Sequence, residues 1–228
     1  MILKKWEQLP PELQLEEVRP YYKILQKKKC SLILKRIFDV IMSLIMIISL
    51  SPLFLILAVV IKLDSEGPVF FRQERVTQYG EKFYIFKFRT MVDNAEEIGS
   101  KVTVNNDSRI TRVGLFIRRY RLDEIPQLLN VLIGDMSFVG TRPEVKKYVE
   151  SYTPKMMATL LLPAGVTSLA SIKYKDEAKL LSKVNNVDET YVYKILPGKM
   201  QYNLQSIERF SFWNDIKLMF MTLEAVIE

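Results

Sequence analysis

The chain has 228 residues, of which 49% are hydrophobic and 26% are charged, and glycine and proline are not enriched. This composition excludes wholesale disorder, collagen-like repeats and low complexity. The net charge of +7 indicates an anionic partner, which charge alone leaves open as nucleic acid, acidic lipid or a phosphorylated substrate. The sequence contains no histidine, which excludes Ser-His triads and most zinc sites, and its single cysteine, Cys30, cannot form an internal disulfide.

Residues 1–30 predict an N-terminal extension, which Pro10 and Pro11 interrupt and which carries no recognisable catalytic motif. Within this extension, residues 21–29 predict a short amphipathic helix.

Residues 40–61 carry no charged side chain. As a helix, this stretch would extend roughly 33 Å, which is long enough to cross a bilayer. Ser51 and Pro52 lie at its middle, however, and proline breaks or kinks a helix because it lacks a backbone donor. Lysine and arginine flank the stretch on both sides, and positive residues prefer the cytoplasmic side. We therefore favour a helix-break-helix that enters one leaflet and returns, over a kinked span or a buried hairpin in a soluble core.

Asp39 lies at the start of this apolar stretch, three residues after Arg36. An ion pair with Arg36 would lower the cost of placing the carboxylate near lipid, so we expect the two side chains to pair.

From these segments, the chain is expected to divide into the extension, a membrane segment at residues 31–62 and a globular domain at residues 63–228.

Residues 69–76 and 83–90 predict the two strands of a hairpin, joined around a turn that contains Gly80. Alternation along the second strand places Lys87 and Arg89 on one face, roughly 7 Å apart. This spacing suits a bound diphosphate, although the pattern by itself fits two solvated side chains better.

Residues 91–98 predict a short helix that ends at Gly99, and residues 101–107 predict a loop. Residues 111–120 predict an amphipathic helix with clustered arginines, a pattern typical of helices at anionic membrane surfaces. Residues 212–226 predict a second amphipathic helix, and packing in a protein core is the alternative for both. The expected fold class is mixed α/β and mostly helical.

An acidic pair begins the helix predicted at residues 121–134, which Asp123 can cap and Gly134 can end. The helix dipole there would keep Asp123 ionised, as a carboxylate nucleophile must be, and Glu124 could hold a divalent ion. Plain helix capping is the better interpretation of these residues taken alone. Three arginines precede the pair and could neutralise phosphate oxygens: Arg118, Arg119 and Arg121.

Several motifs follow one another at compatible spacing over most of the chain. They are KRIFD at 35–39, GPVFFRQER at 67–75, FKFRTM at 86–91, DSRITRVG at 107–114, LDEIPQ at 122–127, GDMSFVG at 134–140 and the Arg142-Pro143 pair. Each motif is weak alone, but the ordered set is specific. With these motifs the chain resembles the bacterial sugar transferases, the monotopic phosphoglycosyl transferases that act on polyprenyl phosphate.

The resemblance implies a re-entrant membrane helix hinged at Ser51 and Pro52, and a catalytic α/β domain on the cytoplasmic face of the bacterial plasma membrane. It implies that Asp123 attacks the β-phosphate of a UDP-sugar, releases UMP and forms a covalent phosphosugar. Polyprenyl (undecaprenyl) phosphate would then accept the sugar phosphate, in the first membrane step of exopolysaccharide, capsule or glycoconjugate synthesis.

The resemblance also implies roles for other residues. Glu124 would bind Mg²⁺, and Arg118 would hold a phosphate. Arg142, Lys87 and Arg89 would be further substrate contacts. The implied partners are the UDP-sugar, polyprenyl phosphate and membrane lipid, while a second copy of the chain or polysaccharide-assembly proteins are left open.

Some positions depart from the family pattern. Thr141 replaces the usual proline before Arg142, Ser168 replaces a glycine, and Asn203 stands where many relatives have aspartate. Thr77 stands where glycine is common. Ser168 and Asn203 lie in the C-terminal third, the part expected to recognise the nucleotide and the sugar.

Two other functions compete with the transferase. The C-terminal departures motivate a non-catalytic family member that scaffolds a polysaccharide assembly complex, although the intact pair of Asp123 and Glu124 argues against it. The positive charge motivates a membrane-tethered nucleic-acid binder, but the sequence shows no nucleic-acid-binding motif, so no nucleic-acid partner is expected.

Overall fold

The computed structural model of the protein describes residues 3–93, 95, 107–181, 184 and 186–227. The helix expected at residues 91–98 and the loop expected at residues 101–107 lie largely outside this part. The regular elements, in chain order, are α1 (Arg19–Gln26), α2 (Lys29–Asp64), β1 (Phe70–Val76), β2 (Lys82–Phe88), α3 (Arg112–Arg119), α4 (Gln127–Ile133), β3 (Met136–Val139), α5 (Lys146–Val149), β4 (Ala164–Thr167), α6 (Leu169–Lys173), α7 (Glu177–Leu181), α8 (Val187–Thr190), α9 (Leu196–Glu208) and α10 (Phe212–Ile227). The expected fold class, mixed α/β and mostly helical, is confirmed.

The strands form two small sheets. β1 and β2 pair antiparallel with Phe70 opposite Phe88, which confirms the predicted hairpin. The turn between them contains Tyr79 in the left-handed region, at φ 60°. β3 and β4 pair in parallel, with Val139 opposite Thr167. The chain therefore brings the carboxyl ends of β3 and β4 to one edge.

Helix α2 is, within the described residues, the one helix long and apolar enough to cross a membrane. Both of its halves pack on the same globular unit. The first half contacts β3 through Phe38, whose ring lies 6.2 Å from that of Phe138. The second half contacts β2 through Phe54, whose ring lies 5.3 Å from that of Phe88. The opposite face of α2 is apolar and exposed, with the side chains of Ile37, Ile41, Ile45, Ile48, Leu55 and Val59.

Helix α2 continues through Pro52, so the expected break in the helix is not found. Pro52 has no N–H to donate to the carbonyl oxygen of Ile48, four residues earlier. The hydroxyl of Ser51 donates to that oxygen instead, at 2.8 Å. The serine thus replaces the hydrogen bond that the proline removes, and the helix can continue in an apolar surrounding.

Removing this hydroxyl should weaken the fold. Ser51→Ala should lower the free energy of unfolding in detergent micelles by about 1–3 kcal/mol, because the Ile48 carbonyl would lose its donor. Ser49→Ala is the matched control, since its hydroxyl donates to Ile45, a carbonyl that already accepts a helical N–H. Adding Pro52→Ala to Ser51→Ala should restore stability by supplying a backbone N–H. Equal losses for the two serine substitutions would contradict this account.

The N-terminal extension packs into a hydrophobic core with distant parts of the chain. The predicted short helix is confirmed as α1, which contacts α9. The hydroxyl of Tyr21 donates to Glu208 at 3.3 Å. The buried side chains of this shared core include Leu9, Leu13, Val18, Leu25, Leu161 and Ile207. The extension is therefore part of the globular packing.

The expected ion pair between Arg36 and Asp39 does not form. The guanidinium of Arg36 donates to the carbonyl oxygens of Val131 at 2.6 Å and Leu132 at 2.9 Å, where the C-terminal end of α4 favours a positive charge. One carboxylate oxygen of Asp39 accepts from the backbone N–H of Phe138 at 3.3 Å. Both side chains thus fix α2 to the globular unit, because these backbone groups compete successfully for them.

The two predicted amphipathic helices are present as α3 and α10. In α3 the side chain of Ile117 is fully buried, while Leu115 and Phe116 are exposed beside the arginines. In α10 Trp213 and Phe220 are exposed. These helices therefore have one packed face and an outer face that combines apolar and polar groups.

Candidate active site

Glu124 lies at the centre of a cluster of charged side chains. Its Oε1 accepts a hydrogen bond from Lys87 Nζ at 2.9 Å and another from Arg142 Nη2 at 2.8 Å. Lys87 comes from β2, and Arg142 comes from the loop after β3. Three separate parts of the chain therefore meet at one carboxylate, which is only 14% exposed.

A left-handed residue positions the acidic pair. Helix α3 ends at Arg119. Two residues later, Arg121 has a left-handed backbone conformation, with φ 56°. A short 3-10 turn, Leu122–Glu124, follows, and α4 begins only at Gln127. The prediction that Asp123 caps one helix over residues 121–134 is therefore wrong, since no side-chain cap bond forms at either start. The predicted end of that helix at Gly134, with φ 108°, is confirmed.

Opposing effects act on the Asp123 carboxyl. Burial and the neighbouring charge of Glu124 raise its pKa, while Lys87, Arg118 and Arg121 oppose that rise. The expectation that a helix dipole keeps this group ionised is thus not supported: burial has the larger effect, and the net shift of the Asp123 pKa is upward although the cations reduce it.

Glu124 differs from its neighbour. Burial opposes its ionisation, but Arg142 and Lys87 together hold the pKa of its carboxyl well below the usual range. Burial lowers the pKa of the Lys87 ammonium, although Glu124 favours its charge. The two carboxyl groups thus have shifts of opposite direction, an arrangement typical of functional sites.

Arg118 lies on the last turn of α3, close enough to the pair for Asp123 to favour its charge. Its Nη1 is 3.5 Å from the hydroxyl of Thr90, and burial lowers the pKa of its guanidinium. Among the predicted substrate contacts, the structure therefore brings together Lys87, Arg118 and Arg142 around the acidic pair.

Arg89 makes its contacts elsewhere. Its guanidinium donates to the carbonyl oxygens of Ser65 at 2.7 Å and Glu66 at 2.6 Å, which hold the turn after α2. A side chain at Gly67, whose φ is 113°, would collide with this guanidinium. Arg89 lies past the end of β2, so the predicted alternation does not extend to it. Its role as a substrate contact stays a prediction, and its observed contacts are structural.

A buried network supports the loop that carries Arg142, and no sequence motif predicts it. Glu144 accepts a hydrogen bond from the hydroxyl of Tyr191. Lys199 donates to the same hydroxyl at 2.9 Å and pairs with Glu177 at 2.9 Å. These residues are far apart in the chain and follow no motif, so only the folded structure brings them together.

Residues 30–228 match the family model described as bacterial sugar transferase, and this range is most of the chain. The chain belongs to the bacterial sugar transferase family. The family resemblance on which the sequence analysis relied is thereby confirmed.

Curated bacterial sugar transferases and related proteins give the same assignment. A UDP-N-acetylgalactosamine-undecaprenyl-phosphate N-acetylgalactosaminephosphotransferase of Aeromonas hydrophila is 36% identical over 197 residues, which are 85% of this chain and 44% of that protein. A UDP-glucose:undecaprenyl-phosphate glucose-1-phosphate transferase of Xanthomonas campestris pv. campestris is 37% identical over 198 residues, which are 85% of this chain and 38% of that protein. The chain thus spans less than half the length of these two relatives.

A third bacterial sugar transferase has a similar length to this chain. It is an uncharacterized sugar transferase of Bacillus subtilis (strain 168), 33% identical over 196 residues, which are 86% of this chain and 88% of that protein.

The site fits Mg²⁺ only in combination with a substrate. In the described part of the chain, no group of three or more acidic, cysteine or histidine side chains could hold a metal ion. Mg²⁺ is commonly bound by one or two carboxylates together with substrate phosphates. Asp123 and Glu124 supply such carboxylates and are the residues that would hold the ion together with a substrate phosphate.

Proposed function

We propose that this bacterial sugar transferase moves a sugar-1-phosphate from a UDP-sugar to polyprenyl phosphate through a covalent intermediate on Asp123. The observation that carries the proposal is the acidic pair, in which Lys87 and Arg142 hold Glu124 while Asp123 lies beside further arginines. Fixed cations of this kind stabilise the charge of a phosphoryl group in transfer. Two of the three relatives named above, those of Aeromonas hydrophila and Xanthomonas campestris, carry undecaprenyl phosphate and a UDP-sugar in their names.

In the first step, a carboxylate oxygen of Asp123 attacks the β-phosphorus of the UDP-sugar. A new P–O bond forms, and the bond from this phosphorus to the oxygen that bridges to the α-phosphate breaks. The bridging oxygen leaves with the electron pair as part of UMP. Lys87, Arg118 and Arg142 neutralise the phosphate oxygens during this step.

In the second step, a phosphate oxygen of polyprenyl phosphate attacks the phosphorus of the intermediate. The bond to Asp123 breaks, which regenerates the carboxylate and yields a polyprenyl diphosphate sugar. Splitting the transfer into two displacements lets one site serve a soluble donor and a lipid acceptor. This product would start synthesis of an exopolysaccharide, a capsule or a glycoconjugate.

Magnesium would bind to Glu124 and the phosphate oxygens of the substrate, where it neutralises developing charge.

The membrane placement is part of the proposal. The exposed apolar face of α2 would lie in one leaflet of the bacterial plasma membrane as a re-entrant segment, with the helix continuous through Ser51 and Pro52. The globular unit would then face the cytoplasm. Leu115 and Phe116 of α3 would rest among the lipid headgroups, with the arginines of that helix near anionic lipid.

The experiment that tests the proposal is a UMP-release assay. Detergent-purified chain, Mg²⁺ and undecaprenyl phosphate would be incubated with a panel of UDP-sugars. We expect UMP release with at least one donor, dependent on the lipid phosphate for continued turnover. Failure to release UMP from any UDP-sugar of a broad panel would overturn the proposal. That result would favour the alternative function, a non-catalytic scaffold, against which the intact acidic pair argues.

Lys87 should set the pH dependence of this reaction. Asp123 acts as a deprotonated nucleophile, so activity is lost as the pH falls through its pKa. Lys87 lowers that pKa, so Lys87→Met should move the acid limb of the profile of kcat/KM to higher pH. The plateau should also fall by roughly 100-fold, because a phosphate contact is lost.

Lys82→Met is the matched control for this variant. Lys82 lies on the same strand in an exposed pair with Glu74 at 2.8 Å. Its removal should leave the pH profile unchanged. An acid limb that stays in place in Lys87→Met, or moves to lower pH, would show that another group limits the reaction.

A further inference from the structure

A cavity lies at the carboxyl ends of β3 and β4, the position at which α/β sheets commonly bind ligands. Thr141 follows β3 and Ser168 follows β4, and both line the cavity. Helix α9 closes another side with Asn203 and Ser206. The cavity encloses about 400 Å³, including the open space at its mouth.

Asn203 presents a polar atom without a partner to this cavity. The residue is 4% exposed, and within the described residues its Oδ1 accepts no hydrogen bond. Its Nδ2 contacts only the sulfur of Met200, at 3.7 Å. A buried carbonyl without a donor is unfavourable, so a bound group that donates a hydrogen bond to it would stabilise the complex.

The wall of the cavity carries no unpaired cation in the described part of the chain. The charged residue that lines the cavity, Asp215, forms an ion pair with Lys35, whose Nζ lies 2.6 Å from Oδ2 of Asp215. The remaining polar groups are hydroxyls and one amide, beside apolar side chains such as Leu162 and Ile207. This chemistry suits a neutral group that donates and accepts hydrogen bonds, such as a sugar hydroxyl or an acylamino substituent, and it does not suit a diphosphate.

The loop after β3 connects the wall of the cavity to the acidic pair. Thr141 on this wall directly precedes Arg142, whose guanidinium is bonded to Glu124. One residue of the neutral cavity, Thr141, and one residue of the cationic cluster, Arg142, are therefore neighbours in the chain. In a UDP-sugar the sugar is bonded to the β-phosphorus that Asp123 attacks, whereas the uridine is one phosphate further away.

We propose that this cavity binds substituents of the sugar ring and that Asn203 is a specificity-determining residue. The inference rests on the proposed function. Three positions at which the chain departs from the family pattern, Thr141, Ser168 and Asn203, are distant in sequence and all line this cavity. The amide oxygen of Asn203 would accept a hydrogen bond from a hydroxyl or an N–H of the bound sugar.

The test compares donors that differ in one substituent. The kcat/KM values for UDP-glucose, UDP-galactose, UDP-N-acetylglucosamine and UDP-N-acetylgalactosamine would be measured for the wild-type chain, Asn203→Leu and Asn203→Ala, both of which remove the acceptor oxygen. We expect the ratio of kcat/KM between the preferred donor and its nearest competitor to change by about tenfold or more in both variants. The inhibition constant of UMP should stay within about twofold, because UMP carries no sugar at the β-position.

Gln201→Leu is the matched control, since Gln201 is exposed on the same helix and should keep the wild-type ratio. Asn203→Ala removes the same oxygen with a smaller side chain, so it provides the answer if Asn203→Leu does not fold. A uniform loss across all donors with weaker UMP inhibition would assign the cavity to the uridine and overturn the inference. Unchanged ratios would also overturn it.

Failure of this inference is distinguishable from failure of the proposed function. Wild-type turnover of any donor supports the transferase whatever the variants do. If the wild-type chain turns over no donor, the proposed function fails and this inference fails with it.

Discussion

Asp123→Asn should abolish UMP release, with kcat reduced by about 10,000-fold or more. A carboxamide lacks the negative charge that makes the Asp123 oxygen nucleophilic, while its shape is almost unchanged. The loss should therefore occur without loss of folding, which a thermal melt would verify. The variant should retain binding of UDP-sugar, because the surrounding cations remain.

Formation of the proposed phosphosugar intermediate on Asp123 provides a second way to test this prediction. Without polyprenyl phosphate, the wild-type chain should release up to one equivalent of UMP and gain the mass of one sugar phosphate, whereas Asp123→Asn should do neither. Asp93→Asn, at an exposed position, is the control and should behave as the wild type does. A stoichiometric burst in Asp123→Asn would assign the nucleophile to another residue.

Glu124→Gln should lower kcat/KM by about 100- to 1,000-fold. The substitution removes the charge that holds Lys87 and Arg142 at 2.9 and 2.8 Å, so both cations lose their fixed positions. It also removes the proposed magnesium ligand. The Mg²⁺ concentration required for half-maximal rate should therefore rise together with the loss of activity.

Glu74→Gln is the control for this variant, because it breaks an exposed pair with Lys82 on the same hairpin. Exposed pairs contribute little, so its activity and its Mg²⁺ dependence should not change. If Glu124→Gln lost activity with an unaltered Mg²⁺ requirement, its role would be to position the cations alone.

Local patterns predicted the elements of the fold well. The hairpin followed from alternation around a glycine turn, and α1, α3 and α10 followed from helical periodicity, because each pattern is set within a few residues. The break at Pro52 was predicted wrongly. The rule that proline breaks a helix does not account for Ser51, whose hydroxyl supplies the missing donor.

The candidate site was found through motifs, but its geometry was not. Sequence reasoning placed Asp123 at a helix start and missed that Arg121 adopts a left-handed conformation, which separates the acidic pair from α3. The pair lies in a 3-10 turn that ends before α4 begins. It paired Arg36 with Asp39 by proximity in sequence, whereas helix-end carbonyls and a strand N–H bind them. Tertiary contacts of this kind have no local signature.

The residues that shape the neighbouring cavity and the supporting network were harder still. Glu144, Tyr191 and Lys199 meet from three distant segments, and their types are common in any sequence. The departures at Thr141 and Asn203 were visible in the sequence, but only the fold brings them together.

The packing of the N-terminal extension has a consequence for synthesis of the protein. Tyr21 contacts Glu208, 187 residues later, so the partner surface of the extension does not exist when the extension leaves the ribosome. At roughly 5–20 residues per second, translation of that interval takes about 10 to 40 s. Helix α2 emerges early in this interval, before Leu204 and Ile207 of the core shared with the extension have been made. During this delay the apolar side chains of the extension would be accessible to chaperones or to the bilayer surface.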